Sequence, residues 1–250
     1  MRKFGLIGYP LGHSFSKQYF SDKFTLESIT DCAYENYPLT SIELLDELIS
    51  GDHEICGLNV TIPFKSEVIK YLDYLDEEAA SAGAVNVIKI SQKDYKRVLK
   101  GFNTDIYGFR ESIIPFLTKA TANALILGTG GSSKAVAYVL GSLGISITNV
   151  SRNSGPGLIT YKELTDKLLA DNQLIVNTTP LGMFPDITGL PDLNYDLLTG
   201  KHILYDLVYN PEMTSFLKAG KQRGCKIVGG LRMLHLQAEK AWNIWNDDNI

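Results

Sequence analysis

Short apolar runs separated by polar, helix-compatible stretches recur along the whole chain. Residues 3–8, 33–37, 55–60, 85–90, 123–127, 145–150, 173–177, 203–206 and 226–228 read as strands. Most of the intervals are long enough for a crossover helix, which predicts an α/β fold built on parallel sheet. The pattern changes over residues 85–101, where Ser91-Gln92-Lys93-Asp94 reads as the turn of an antiparallel hairpin. After Pro63 the apolar positions Val68, Ile69 and Leu72 fall at helical spacing, which puts Lys65 in the first turn of a helix that follows a strand end. Near the C-terminus Leu231, Leu234, Ala238, Ala241, Trp242 and Trp245 form one apolar helix face, entered through Gly229-Gly230.

The strand and helix series restarts near Asn123 with a glycine turn. This predicts two α/β domains: residues 1–103 joined by 231–250, and residues 104–230, with the last helix returning to the first domain. No repeat or low-complexity segment interrupts the series.

With 250 residues, the chain has room for two cores, and 44% hydrophobic against 21% charged residues is a globular balance. A net charge of −4 offers no general footprint for nucleic acid. No apolar run approaches the ~18–20 residues that a membrane span needs, and the N-terminus lacks a signal-peptide core. Cys32, Cys56 and Cys225 are scattered, and the four histidines have no ligand spacing. Together these point to a cytoplasmic protein with reduced cysteines, no metal, and neither nucleic acid nor membrane as its partner.

The turn Gly128-Thr129-Gly130-Gly131-Ser132 follows an apolar strand and opens a helix. A dinucleotide fingerprint requires this context: glycine lets the main chain approach a pyrophosphate, and the helix N-terminus presents N–H groups to it. Sites for NAD typically carry an acid after the next strand. Here the residues are Ser151-Arg152-Asn153, and a forked guanidinium suits the 2′-phosphate of NADP. Lys65 opposes the dipole of the helix it would begin, a poor choice for stability alone. His13 reads as a loop residue, His235 as a packed histidine and the Trp242/Trp245 pair as core.

These segments resemble the shikimate dehydrogenase family in order and over nearly the whole length. Ser14-Phe15-Ser16 after Gly8-Tyr9-Pro10 looks like its paired-serine loop, and Asn59 to Lys65 like its lysine motif. Ala84-Val85-Asn86, Gly101-Phe102-Asn103-Thr104-Asp105, Tyr209 and the run from Gly229 to Gln237 match further family segments. The resemblance implies NADP-dependent interconversion of 3-dehydroshikimate and shikimate, in a cleft between a substrate-binding domain and a Rossmann-type domain. It implies Lys65 as acid–base residue, with Asp105 as its partner. An ordinary lysine, with a pKa of ~10.4, is an acid at neutral pH. Ser14, Ser16 and Tyr209 would hold the substrate carboxylate, and Thr61, Asn86 and Gln237 the ring oxygens. Leu207 and Gly230 would lie beside the nicotinamide, and Glu77 matches a position near the cofactor. The assembly would be a monomer or a homodimer.

Three positions depart from the family pattern. Pro156 stands where a second basic residue is common, Lys134 replaces an arginine, and Arg232 replaces a glycine. Two rival readings stay open: a broader quinate/shikimate dehydrogenase that uses NAD, and a non-catalytic nucleotide-binding regulator on the same fold.

Overall fold

Two six-stranded sheets organise the chain, each in its own unit: Met1–Thr104 with Ala238–Ile250, and Asp105–Gln237. The structure is a computed structural model that describes residues 1–12, 15–93, 96–247 and 249.

The first unit contains β1 (Arg2–Gly8), α1 (Phe15–Leu26), β2 (Cys32–Pro38), α2 (Leu45–Gly51), β3 (Ile55–Val60), β4 (Tyr74–Leu75), α3 (Glu77–Ala82), β5 (Val87–Lys93) and β6 (Lys96–Phe102). Its sheet runs β2-β1-β3-β5-β6-β4, with β5 antiparallel to both of its neighbours and the other pairs parallel. Because β1 lies between β2 and β3, the sheet reverses direction of growth there, and the ends of β1 and β3 border a topological switch point. One apolar layer, including Ile7, Ile42, Leu45, Leu58, Val68 and Ile88, covers one side. The other layer is aromatic: Phe4, Phe20, Phe24 and Tyr34 pack with Trp245 from the end of the chain. Gly57 is required here, since a Cβ at that position would collide with the Trp245 indole. That indole donates to the Ile88 carbonyl at 3.0 Å.

Two expectations fail in this unit. Residues 91–93 are strand, not turn: the ladder continues through Ser91↔Val98 and Gln92↔Arg97 to Lys93↔Lys96. Position 94, the last residue of the expected turn, lies outside the described residues. After Pro63 the chain forms turns and a short 3₁₀ segment, Glu67–Tyr71, rather than an α-helix. β-Branched Val68 and Ile69 weaken the helical preference, and Asp73 then ties the chain to β6 through its main-chain N–H and its carboxylate, both bonded to Leu99. Lys65 therefore sits in a turn and not in the first turn of an α-helix.

The second unit carries α4 (Thr104–Ile113), β7 (Asn123–Leu127), α5 (Gly131–Ser142), β8 (Ser146–Ser151), β9 (Leu158–Thr160), α6 (Asp166–Asp171), β10 (Leu174–Asn177), β11 (Ile203–Asp206), α7 (Ser215–Gln222), β12 (Lys226–Val228) and the start of α8 (Leu231–Asn246). The sheet order β12-β11-β10-β7-β8-β9 is parallel throughout, the doubly wound dinucleotide-binding arrangement with its switch point between β7 and β10. The central strands β7, β10 and β11 are buried on both faces and are largely apolar, as the middle of a parallel sheet requires, whereas β8, β9 and β12 are mostly half-buried. Residue by residue, α8 buries Met233, Gln237, Ala238, Ala241, Ile244 and Trp245, whereas Leu231 and Leu234 are half-buried and His235 is exposed. The expected packed role of His235 is thus overturned. No helix among the described residues is long and apolar enough to cross a membrane.

Candidate active site

In the first unit the switch point is built by close backbone approach. Thr61 N–H bonds to the Ile7 carbonyl at 2.9 Å, and Tyr9 N–H to that of Ile62 at 3.1 Å. Thr61 and Lys65 are half-buried just beyond β3, and the Lys65 carbonyl accepts from Val85 N–H at 2.7 Å. That bond draws the lysine segment to the chain entering β5, next to Asn86. Asn86 is buried at the bend before the strand, not inside it. Its Oδ1 accepts from Thr104 N–H at 2.7 Å, and its Nδ2 donates to Thr104 Oγ1 at 3.0 Å. The amide thereby captures an N–H at the beginning of α4, a capping role.

Sequence reasoning gave no role to the polar residues beneath these. Tyr34 Oη donates to Asn59 Oδ1 at 2.7 Å, and Asn59 Nδ2 reaches the Asn86 carbonyl at 3.4 Å. Burial holds the Tyr34 phenol far above its ordinary pKa, while a hydrogen bond with Ser16 pulls it down. Ser16, Tyr34, Asn59, Asn86 and Thr104 thus form one connected polar line through a buried region. An asparagine in the apolar run 55–60 was the visible sign of it, since a buried amide needs partners. Ser14 lies outside the described residues. Glu77 is exposed at the start of α3, whose N-terminus an acidic residue suits.

In the second unit Asp105 is buried in the first turn of α4, and Gln237 is buried on α8 with its Nε2 donating to the Leu234 carbonyl at 2.9 Å. Tyr209 is half-buried in the loop after β11. That loop is anchored by Asp206, which sequence reasoning also passed over. Its Oδ1 accepts from Asn177 Nδ2 at 2.9 Å and Val208 N–H at 3.0 Å, and its Oδ2 from Thr214 Oγ1 at 2.6 Å. Burial pushes the Asp206 carboxyl up to about 6, against the pull of those three donors. Between Asp206 and Tyr209 runs Leu207, whose carbonyl is so close to Gly230 that any Cβ there would collide with it.

The glycine turn lies at the second switch point. Gly128 has φ +110°, and a Cβ on it would stand 2.7 Å from Thr178 Oγ1 at the end of β10. Gly130, the N-cap of α5, differs: a Cβ there would meet nothing within 4 Å, so its bareness keeps space open over the helix N-terminus. Ser133 fills the place of a third glycine and donates from Oγ to the Gly130 carbonyl at 2.6 Å. Thr129 is exposed, while Gly131 and Ser132 are half-buried in or beside the first turn. Past β8, Ser151 Oγ accepts from Asn153 N–H at 3.3 Å, and Arg152 and Asn153 line a cavity of about 600 Å³. These residues fit a dinucleotide: a glycine-lined space at a helix N-terminus holds an anion, and a guanidinium waits beyond the adjacent strand.

The family model of the shikimate dehydrogenase substrate binding domain matches residues 6–88. A Clostridium beijerinckii protein named shikimate dehydrogenase (NADP(+)) is 38% identical over 260 residues, 99% of this chain and 93% of the relative. Among solved structures, shikimate dehydrogenase 1 of Peptoclostridium difficile is 36% identical with a TM-score of 0.82, over 100% of this chain and 93% of that one. Shikimate 5-dehydrogenase of Thermus thermophilus, in complex with NADP(H) and shikimate, is 31% identical with a TM-score of 0.83, over 98% and 94%. Such similarity runs through both units, from the lysine turn to the glycine turn and the last helix, and this chain belongs to the shikimate dehydrogenase family.

Proposed function

We propose that the protein catalyses the reversible, NADP-dependent reduction of 3-dehydroshikimate to shikimate in aromatic amino acid biosynthesis. It does so in the cytoplasm, as a monomer or homodimer; its three free cysteines suit a reducing compartment. The observation that carries the reading is that each sheet equips its own switch point. One bears Thr61 and Lys65 beside buried amides, and the other bears a glycine turn followed by an arginine in place of an acid.

NADPH, when bound, supplies the hydride for the ring carbonyl carbon. Lys65 then delivers a proton to the carbonyl oxygen and recovers one in the reverse direction. Asp105 orients Lys65 and accepts a hydrogen bond from a ring hydroxyl. The hydroxyls of Ser14, Ser16 and Tyr209 hold the substrate carboxylate, while Thr61, Asn86 and Gln237 read the ring oxygens. Asn86 also fixes the helix that carries Asp105 through its bonds to Thr104. The Leu207 main chain, packed on Gly230, borders the nicotinamide.

Initial rates with shikimate or quinate, each with NADP⁺ or NAD⁺, test the reading. Turnover confined to shikimate with NADP⁺ is the expected result. Equal rates with quinate or NAD⁺ would move the protein to the broader branch. Binding of NADP⁺ without any turnover would make it a regulator.

A further inference from the structure

The connection between β8 and β9 is shorter than its geometry ordinarily allows. Parallel neighbours need a crossover of roughly a dozen residues or more, usually a helix. Here only residues 152–157 separate two parallel strands, which pair from Asn149↔Leu158 to Ser151↔Thr160. The return is made by a tight turn with Gly157 at φ +70° and a bridge between Gly155 and Leu158. No helix lies between β8 and β9, and Pro156 occupies the turn. As a result the segment after β9 faces Arg152 directly.

That segment is a 3₁₀ turn, Tyr161–Glu163, held by a reciprocal cap. Glu163 accepts from Thr160 N–H at 2.7 Å and from Thr160 Oγ1 at 2.8 Å. The cap occupies the acid of the turn and leaves Lys162 lining the same cavity of about 600 Å³ as Arg152, Ser154, Tyr161, Leu181 and Asp192. Tyr161 lines the cavity with its ring, and its hydroxyl is buried without an internal partner. Its phenol is pushed up by burial and by Asp192 and pulled down by Arg152, which places both charges within reach of it. Two cations and apolar walls suit a phosphorylated, base-bearing ligand, and Asp192 opposes its negative charge.

We propose that Lys162 is the second cation of the 2′-phosphate subsite, supplied by the turn after β9 because the connection after β8 is too short to supply it. This inference rests on the NADP reading above. Asp192 limits the strength of that subsite. Removing one cation from a solvent-open pocket weakens a phosphate by about tenfold, that is by about 1.4 kcal/mol.

The test is calorimetric titration with adenosine 2′,5′-bisphosphate and with ADP, on the wild type and on Lys162→Ala, Lys162→Arg, Arg152→Ala and Asp192→Asn. Lys162→Ala should weaken the 2′-phosphorylated probe about tenfold and ADP by less than about twofold, with a shallower salt dependence. Lys162→Arg should restore most of the loss, and Asp192→Asn should tighten the 2′-phosphorylated probe severalfold. Equal changes for both probes, or none for either, in Lys162→Ala would overturn the proposal even while Arg152→Ala remained selective. A wild type that did not prefer the 2′-phosphorylated probe would overturn the NADP reading itself.

Discussion

The two sheets handle their polar groups in opposite ways. Around the strand ends of the first, side chains are joined to one another and to the main chain: Tyr34 to Asn59, Asn59 to the Asn86 carbonyl, Asn86 to Thr104. Around those of the second, glycines shape the space. Gly128 and Gly230 permit close approaches that no Cβ tolerates, and Gly130 keeps a space empty. The difference follows the ligand each is suited to meet. A small polyhydroxylated ring is read by short side chains held in fixed directions, whereas a pyrophosphate is read by main-chain N–H groups that need clearance. Side chains bond in the second unit too, and Asp206 accepts from three donors while it organises a loop.

The largest break in this contrast should come from Lys65→Ala. Loss of the acid–base group should lower kcat by ~10²–10⁴-fold with NADP⁺ affinity unchanged. A kcat near that of the wild type would remove Lys65 from the chemistry.

Next comes Asp206, and the sign of its pH effect is definite. Its folded pKa of about 6 lies above the unfolded value of 3.8, so the folded state binds the proton more tightly. The contribution is therefore fully present below the unfolded value and is lost as pH rises through about 6, by roughly 3 kcal/mol. Urea unfolding of wild type and Asp206→Asn at several pH values isolates it. The wild type should lose stability relative to the variant between about pH 4 and pH 6.5. A difference that stays flat across this window would mean that the carboxylate is not disfavoured by burial.

Asn86→Ala tests the opposite strategy, because it leaves Thr104 N–H buried without its acceptor. A cost of about 1–3 kcal/mol in urea unfolding is expected. A loss below about 0.5 kcal/mol would show water replacing the amide.

The smallest effect should come from Tyr34→Phe, which keeps the ring stacked on Phe20 and deletes only the hydroxyl. A stability loss of about 1 kcal/mol should accompany a rise in the KM for shikimate, with the KM for NADP⁺ unmoved. Equal shifts in both constants would mean that the polar line does not serve the substrate side.

Much of this architecture was legible in the hydrophobic pattern. The strands over residues 55–60, 123–127, 203–206 and 226–228 coincide with β3, β7, β11 and β12. What escaped was short or non-local. β4 and β9 span two and three residues, too few to show a period of two, and exist because longer neighbours pair with them. The helical spacing after Pro63 was real but gave a 3₁₀ segment once Asp73 bound Leu99. The Lys65 motif and the glycine turn stood out as contiguous residues. The Tyr34–Asn59 bond joins positions 25 apart and left only a lone asparagine as its trace. Lys162 was invisible for a similar reason, since its place depends on a crossover that is missing.

The indole of Trp245 set against Gly57 has a consequence for the order of events in the cell. Residues 1–104 are made before the second unit, yet the aromatic layer of their sheet lacks its last wall until Ala238, Ala241, Ile244 and Trp245 have been synthesised. The core of the second unit is drawn from intervening residues, so all of it has been synthesised before that wall is complete. The sheet made earlier is therefore the later of the two to be closed, and a chain cut short within α8 has its first core still open.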